Sequence, residues 1–135
     1  SGSMLGSGGF IVYNDTSCIV RNTWNFSRLY HHESCGQCSP CREGTGWLEK
    51  VLHRIENGQG REEDIDLLWS IQSKIEGNTI CPLGDAAAWP VASAIRHFRD
   101  EFEYLVRFPE KIKNRDHFVA EPFGKVKHLI SKQLL

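Results

Sequence analysis

No apolar run in the 135 residues approaches the about 18 that a membrane-spanning helix requires. A direct span is therefore excluded, and any association with a membrane must come through partners. Charge of one sign is also missing. Sixteen Lys and Arg stand against 17 Asp and Glu, for a formal net charge of −1. That balance implies no general affinity for nucleic acid or for a bilayer surface. There is no charged-then-apolar leader, so no secretory signal is expected. The common catalytic signatures are absent as well. Neither Gly-x-Ser-x-Gly nor His-Glu-x-x-His occurs, and His53, His97, His117 and His128 are scattered, as surface or packing histidines are. The Gly/Ser-rich start, residues 1–9, is not followed by the Lys-Ser/Thr of a phosphate loop. A dinucleotide loop fails too, because the last glycine of that pattern would fall at Ile11 and because such loops follow a strand rather than precede one. The segment reads as a flexible turn.

What the chain does have is cysteine in a pattern. Three of its five cysteines, Cys35, Cys38 and Cys41, are separated by two residues each. Cys81 follows the third after 39 intervening residues and is followed at once by Pro82. Thiolates this close, with small turn-forming residues between them, can wrap one face of a compact soft-metal centre. A remote fourth can close the other face. Three cysteines at this spacing plus one before a proline is the ligand pattern of a [4Fe–4S] cluster. A structural zinc site uses four cysteines too, but normally as two separated pairs. A redox dithiol and a disulfide scaffold are further alternatives, the latter a poor match to an odd number of cysteines in adjacent CxxC pairs. Reduced, closely spaced thiols fit a reducing compartment. Cys18, among Ile19 and Val20, reads as a buried free thiol rather than a ligand. His31 and His32 keep a Cys₃His zinc site in consideration.

The stretch Glu33-Ser34-Cys35-Gly36-Gln37-Cys38-Ser39-Pro40-Cys41-Arg42-Glu43-Gly44 resembles the cluster signature of the flavin- and NADH-binding subunits of the NADH:quinone oxidoreductases, respiratory complex I. Related NAD-linked hydrogenases and formate dehydrogenases share it. Thr79-Ile80-Cys81-Pro82-Leu83-Gly84-Asp85 resembles the second half of that signature, with Pro82 where alanine is common. The proline stiffens the loop without removing a ligand. The resemblance covers residues from about 3 to 108. It implies a [4Fe–4S] cluster on Cys35, Cys38, Cys41 and Cys81, and a contact of Leu83 with a flavin edge. It implies FMN and NADH bound in an N-terminal part whose glycine-rich loops are absent here. Electrons would pass from NADH-reduced FMN through the cluster along an iron–sulfur chain to quinone. The implied partners are the flavin/NADH domain and other peripheral-arm subunits. The implied location is the cytoplasmic face of the bacterial inner membrane, or the matrix face in mitochondria. A hydrogenase or formate dehydrogenase fragment, a free-standing carrier of the ferredoxin kind, and a structural Cys₄ zinc module remain as alternatives.

Residue periodicity predicts an all-α fold, a four-helix bundle carrying the cluster at one end. Phe10-Ile11-Val12-Tyr13 reads as one short β segment, the end of a preceding small mixed domain at 1–14. A lone strand needs a sheet, so the chain is expected to begin inside a larger protein or to complete another chain's sheet. The cluster domain is expected at 15–108. Helix 1 is predicted at 16–32 after the capping cluster Asn14-Asp15-Thr16-Ser17, and helix 2 at 43–56, ending at Asn57-Gly58. Helix 3 is predicted from Glu62-Glu63-Asp64 to Gly77, with Trp69 on its inner face. Helix 4 is predicted at 86–107, with Asp85 as its cap and Pro90 as a kink or a start. In an up-down bundle the junctions 1–2 and 3–4 share one end, so both cysteine loops should meet. Residues 109–135 form a basic tail: positions 107–135 hold 7 basic and 3 acidic side chains, against 9 and 14 in 1–106. Within it, 120–124 reads as extended and 126–134 as a weak helix.

Overall fold

The computed structural model describes residues 6, 8–14 and 16–110. Four helices account for most of them: α1 Ile19–Glu33, α2 Ser39–Glu56, α3 Glu63–Ile75 and α4 Pro82–Arg107. The predicted elements beyond residue 110, and the basic tail they belong to, lie outside the described residues. Among the described residues there is no strand, and 10–13 are irregular, with Phe10 85% exposed.

Side-chain bonds give the helix order in space. Arg21, early in α1, lies 3.9 Å from Glu56 at the end of α2, while His31, late in α1, bonds Glu49 at 2.5 Å. Those two helices are therefore antiparallel. Arg54 on α2 grips Asp64 at the start of α3, its Nε donating to Oδ2 at 2.9 Å. At the other end of α3, Glu76 accepts from Trp89 Nε1 at 2.9 Å, and Asp66 near its start accepts from Arg99 at 2.8 Å. The bundle thus runs up, down, up, down. Its core is built from Val20, Leu48, Leu52, Ile55, Leu68, Ile75, Ala88, Val91, Phe102 and Leu105, all buried. Each large apolar side chain among them contributes roughly 1.5–3 kcal/mol of transfer free energy.

The helix ends depart from the predicted bounds in an informative way. Helix α1 starts at Ile19, not 16, because the Thr16 and Ser17 hydroxyls both bond Asn14 Oδ1 at 2.8 Å and close a turn of their own. The cap is Cys18, whose sulfur accepts from Arg21 N at 3.5 Å, and the Ile19 N–H is taken by Glu101 from α4 at 3.2 Å. Helices α2 and α4 each start four residues earlier than expected, at Ser39 and Pro82. Proline in a first helical turn loses no intrahelical bond and has its φ already set, so Pro40 and Pro82 begin helices instead of delaying them. Asn57-Gly58 ends α2 as predicted: Gly58 has φ +72°, and Gln59 N donates back to Arg54 O at 2.9 Å. Pro90 lies inside α4, so it does not start the helix, nor is it the site of the break. The helical path is interrupted at Phe98 instead (φ −138°, ψ 30°). Asp85 does not cap α4. It lies within the first turn and accepts from Gly77 N at 2.7 Å, tying the α3–α4 turn together.

One core assignment changes. Trp69 is 39% exposed, with the Arg96 guanidinium 5.8 Å from its ring centre. It sits on the edge of the apolar stripe, where a cation can cover the ring face. On α1 the buried positions are Val20, Thr23 and Ser27, one step round from the larger apolar side chains. Thr23 satisfies its hydroxyl on Ile19 O at 2.8 Å, whereas the buried Ser27 Oγ has no hydrogen-bond partner among the described residues.

Candidate metal centre

The early starts of α2 and α4 put cysteines at helix N-termini. Cys38 is the N-cap of α2 and Cys81 the N-cap of α4, both with extended backbone, and Cys41 lies in the first turn of α2. Peptide dipoles give a helix N-terminus about half a positive charge, which favours anionic ligands there. Two such ends, from α2 and α4, serve the same pole of the bundle.

That pole is drawn together by close backbone approach. A Cβ on Gly44, in the second turn of α2, would fall 2.6 Å from Ile75 Cγ1, at the end of α3. Glycine there lets the start of α2 lie against the end of α3, six residues before Cys81. In the second loop, a Cβ on Gly84 would fall 2.6 Å from the Thr79 hydroxyl. Thr79 in turn donates to Cys81 O at 2.9 Å. The loop is therefore folded back onto the first turn of α4, with Gly77 at φ +73° permitting the exit from α3.

The first loop is braced by other bonds. Ser34 caps α1 with its N–H on Tyr30 O at 3.0 Å, and its Oγ lies 3.2 Å from Cys41 Sγ. Gly36 N donates to Ser34 Oγ at 3.4 Å. Gly36 has φ +75°, and its carbonyl accepts from Arg42 Nη1 at 3.0 Å. Arg42 also bonds Glu43 at 2.9 Å, so its charge is shared between the loop and a neighbouring carboxylate. Thr45 donates to Cys41 O at 2.7 Å.

All four expected ligands are free cysteines, and they differ in exposure. Cys41 is buried, at 5%, Cys38 is half-buried, and Cys35 and Cys81 are exposed. Leu83 is half-buried in the first turn of α4. Among the described residues no three Cys, His, Asp or Glu side chains gather as ligands of a single metal ion. A cubane binds each thiolate through a different iron, so its ligands stand farther apart than donors sharing one ion. The donor set, four free thiols at one pole with two helix N-termini behind them, fits such a cluster. His31 and His32 are engaged elsewhere, each through Nδ1 with a carboxylate, Glu49 at 2.5 Å and Glu33 at 3.0 Å. Cys18 stands apart at the N-terminus of α1, buried as expected. Burial pushes its thiol up to about 12, and the nearby Glu56 and Glu101 carboxylates push the same way.

Sequence reasoning passes over the Ser34–Cys41 bond, the Arg42–Gly36 bond and the Thr79–Gly84 contact. Ser34 and Gly36 stand inside the motif, but a single hydroxyl or carbonyl carries no periodic signal that would reveal its partner.

Residues 21–105 match the family described as the NADH-ubiquinone oxidoreductase-F iron–sulfur binding region. The chain is 51% identical over 113 residues to the F subunit of NADH-quinone oxidoreductase in Rickettsia typhi, covering 84% of this chain and 25% of that one. It is 49% identical over 102 residues to the F 1 subunit of NADH-quinone oxidoreductase in Rhizobium meliloti, covering 76% and 24%. The chain thus spans about a quarter of the length of the curated relatives it matches. Among solved structures, an NAD⁺-reducing [NiFe]-hydrogenase in the H₂-reduced state superposes with a TM-score of 0.67 at 32% identity, over 70% of this chain and 16% of that one. By sequence and by fold, the chain belongs to the family of NADH-ubiquinone oxidoreductase-F iron–sulfur binding regions.

Proposed function

We propose that Cys35, Cys38, Cys41 and Cys81 hold one [4Fe–4S] cluster, and that the domain relays single electrons within an NADH:quinone oxidoreductase. The observation that carries this is the pairing of two cysteine-capped helix N-termini, at Cys38 and Cys81, on one pole of the bundle. When bound, such a cluster supplies one-electron transfer. The chain's own residues do the rest. The N-termini of α2 and α4 favour the anionic charge of four thiolates. Arg42 fixes the Gly36 turn between Cys35 and Cys38 and adds a positive charge beside Cys41. The buried environment of Cys41 keeps water from one side of the site, while Cys35 and Cys81 face outward toward a redox partner. Four cysteine ligands leave no open iron for substrate, which fits a relay rather than Lewis-acid chemistry.

In this reading the donor is FMN reduced by NADH in a flavin domain upstream, and Leu83 faces the flavin edge. Residues 1–14 end that preceding domain, 15–108 carry the cluster, and 109–135 are a tail of basic composition. Other peripheral-arm subunits take the electrons on toward quinone. The assembly sits peripherally on the cytoplasmic side of the bacterial inner membrane, or the matrix side in mitochondria. No helix among the described residues is long and apolar enough to cross a membrane. The likeness to the NAD⁺-reducing hydrogenase favours a second reading, in which the same relay serves a hydrogenase. Identity near one half to the quinone-linked relatives supports the first.

The test is reconstitution of the full chain with iron and sulfide under reducing conditions. Four irons and four acid-labile sulfides per chain, with a paramagnetic signal on one-electron reduction, are expected. Binding of a single zinc with no such signal would replace the relay by a structural module.

A further inference from the structure

Among the four cysteines, Cys41 is the most buried. Cys35 and Cys81 are exposed, so solvent can hydrogen-bond their sulfurs. At Cys41 the protein provides a donor instead, the Ser34 hydroxyl at 3.2 Å. With a free thiol, either atom of that pair can donate. With Cys41 ionised and bound to metal, the sulfur has no proton, and only the hydroxyl can. The Gly36 N–H, 3.4 Å from Ser34 Oγ, already occupies a lone pair of that oxygen. The hydroxyl proton is thereby left for the sulfur. The result is a short relay from peptide N–H to hydroxyl to thiolate, each bond polarising the next.

Both ends of the relay are fixed. Ser34 is held by its backbone bond to Tyr30 O at 3.0 Å, and Gly36 by the Arg42 guanidinium on its carbonyl at 3.0 Å. Gly36 also has φ +75°, a conformation that a residue with a Cβ rarely adopts. The geometry points to Ser34 as the residue that tunes the reduction potential of the cluster through Cys41. The inference rests on the cluster reading above. A donor to a ligand sulfur stabilises the reduced centre more than the oxidised one, because the added electron raises the charge on sulfur. Its loss therefore lowers the midpoint potential. Ser34 is a positioning and tuning residue here, not a ligand.

The test compares Ser34→Ala and Ser34→Thr with the wild type, each as the full chain loaded with iron and sulfide. Dithionite is the one-electron reductant, and the paramagnetic signal of the reduced centre is followed against ambient potential. In Ser34→Ala the ratio of reduced to oxidised centre should fall about tenfold at a given potential, equivalent to a midpoint about 59 mV lower for one electron. Ser34→Thr keeps a hydroxyl and should titrate with the wild type. Loaded Ser34→Ala with an unchanged midpoint overturns the inference, as does a threonine variant displaced as far as the alanine one. Failure of Ser34→Ala to take up iron and sulfide would also overturn it, since the hydroxyl would then serve assembly rather than potential. A wild-type chain that binds no cluster is a separate result, and it removes the proposed function itself.

Discussion

Cys18 shows how position within the fold decides what a thiol does. It shares its element with no other cysteine, caps α1 through its sulfur, and is buried against the body of the bundle. Its thiol is pushed from an ordinary 9.0 up to about 12, chiefly by burial. Below pH 9 both folded and unfolded chains hold this proton. As pH rises from about 9 to about 12 the unfolded chain gives it up first, so the folded state loses stability across that window, on the order of 4 kcal/mol for a shift of this size. Chemical denaturation at a series of alkaline pH values should show a steeper fall for wild type than for Cys18→Ala. Equal slopes would mean that the thiol ionises in place without penalty. At neutral pH the same burial should protect Cys18 from alkylation in the folded, metal-free chain, while the exposed Cys35 and Cys81 react.

At the scale of elements, proline governs the two helix starts that matter most. By order along the chain Pro40 and Pro82 mark loop, because proline usually stands outside a helix interior. In the structure each sits in a first turn, where its missing N–H costs nothing, and so Cys38 and Cys81 become N-caps. The four helices themselves are legible, since apolar positions at helical spacing, such as Leu48, Leu52 and Ile55, depend only on order along the chain. Which edge of a stripe is deepest is not legible, and Trp69 is the example. Gly84 tests the second loop. In an open helix, replacing glycine by alanine stabilises by about 1 kcal/mol. Here the new Cβ meets the Thr79 side chain, and overpacking of this kind costs typically about 1–3 kcal/mol. The clash should win, so Gly84→Ala is expected to lower stability in urea titration. In a Thr79→Gly background the penalty should shrink, as a double-mutant cycle will measure. An additive cycle would show that the two residues do not press on each other.

For the whole molecule, one core runs the length of the bundle and reaches the cysteine pole, where Ile75 packs against Gly44 and Cys41 is buried, but much of it lies farther away. Phe102, Leu105 and Ile55 lie toward the end where α2 leaves and α4 finishes, with Gly60 packed between Ile55 and Val106. The cysteine loops occupy the opposite end. In a chain loaded with the proposed cluster, removing the iron with a chelator should therefore leave the far-UV circular dichroism of a helical bundle. It should lower the melting temperature, because a ligand that binds only the folded state stabilises it by mass action. Complete loss of helical signal on chelation, as in small zinc domains, would show that the metal builds the fold rather than closing one end of it.

Linear order is enough to establish four amphipathic helices, the grouping of three cysteines with a remote fourth, and the isolation of Cys18. Those features rest on spacing, which the covalent chain carries whatever its fold. Three-dimensional packing is needed for the rest: the Ser34 hydroxyl against the Cys41 sulfur, the Arg42 bond that holds the Gly36 turn, and the glycine contacts at positions 44 and 84 that press the two loops onto one pole. Each depends on distances of a few ångströms between groups brought together by folding, and nothing in residue order encodes a distance through space.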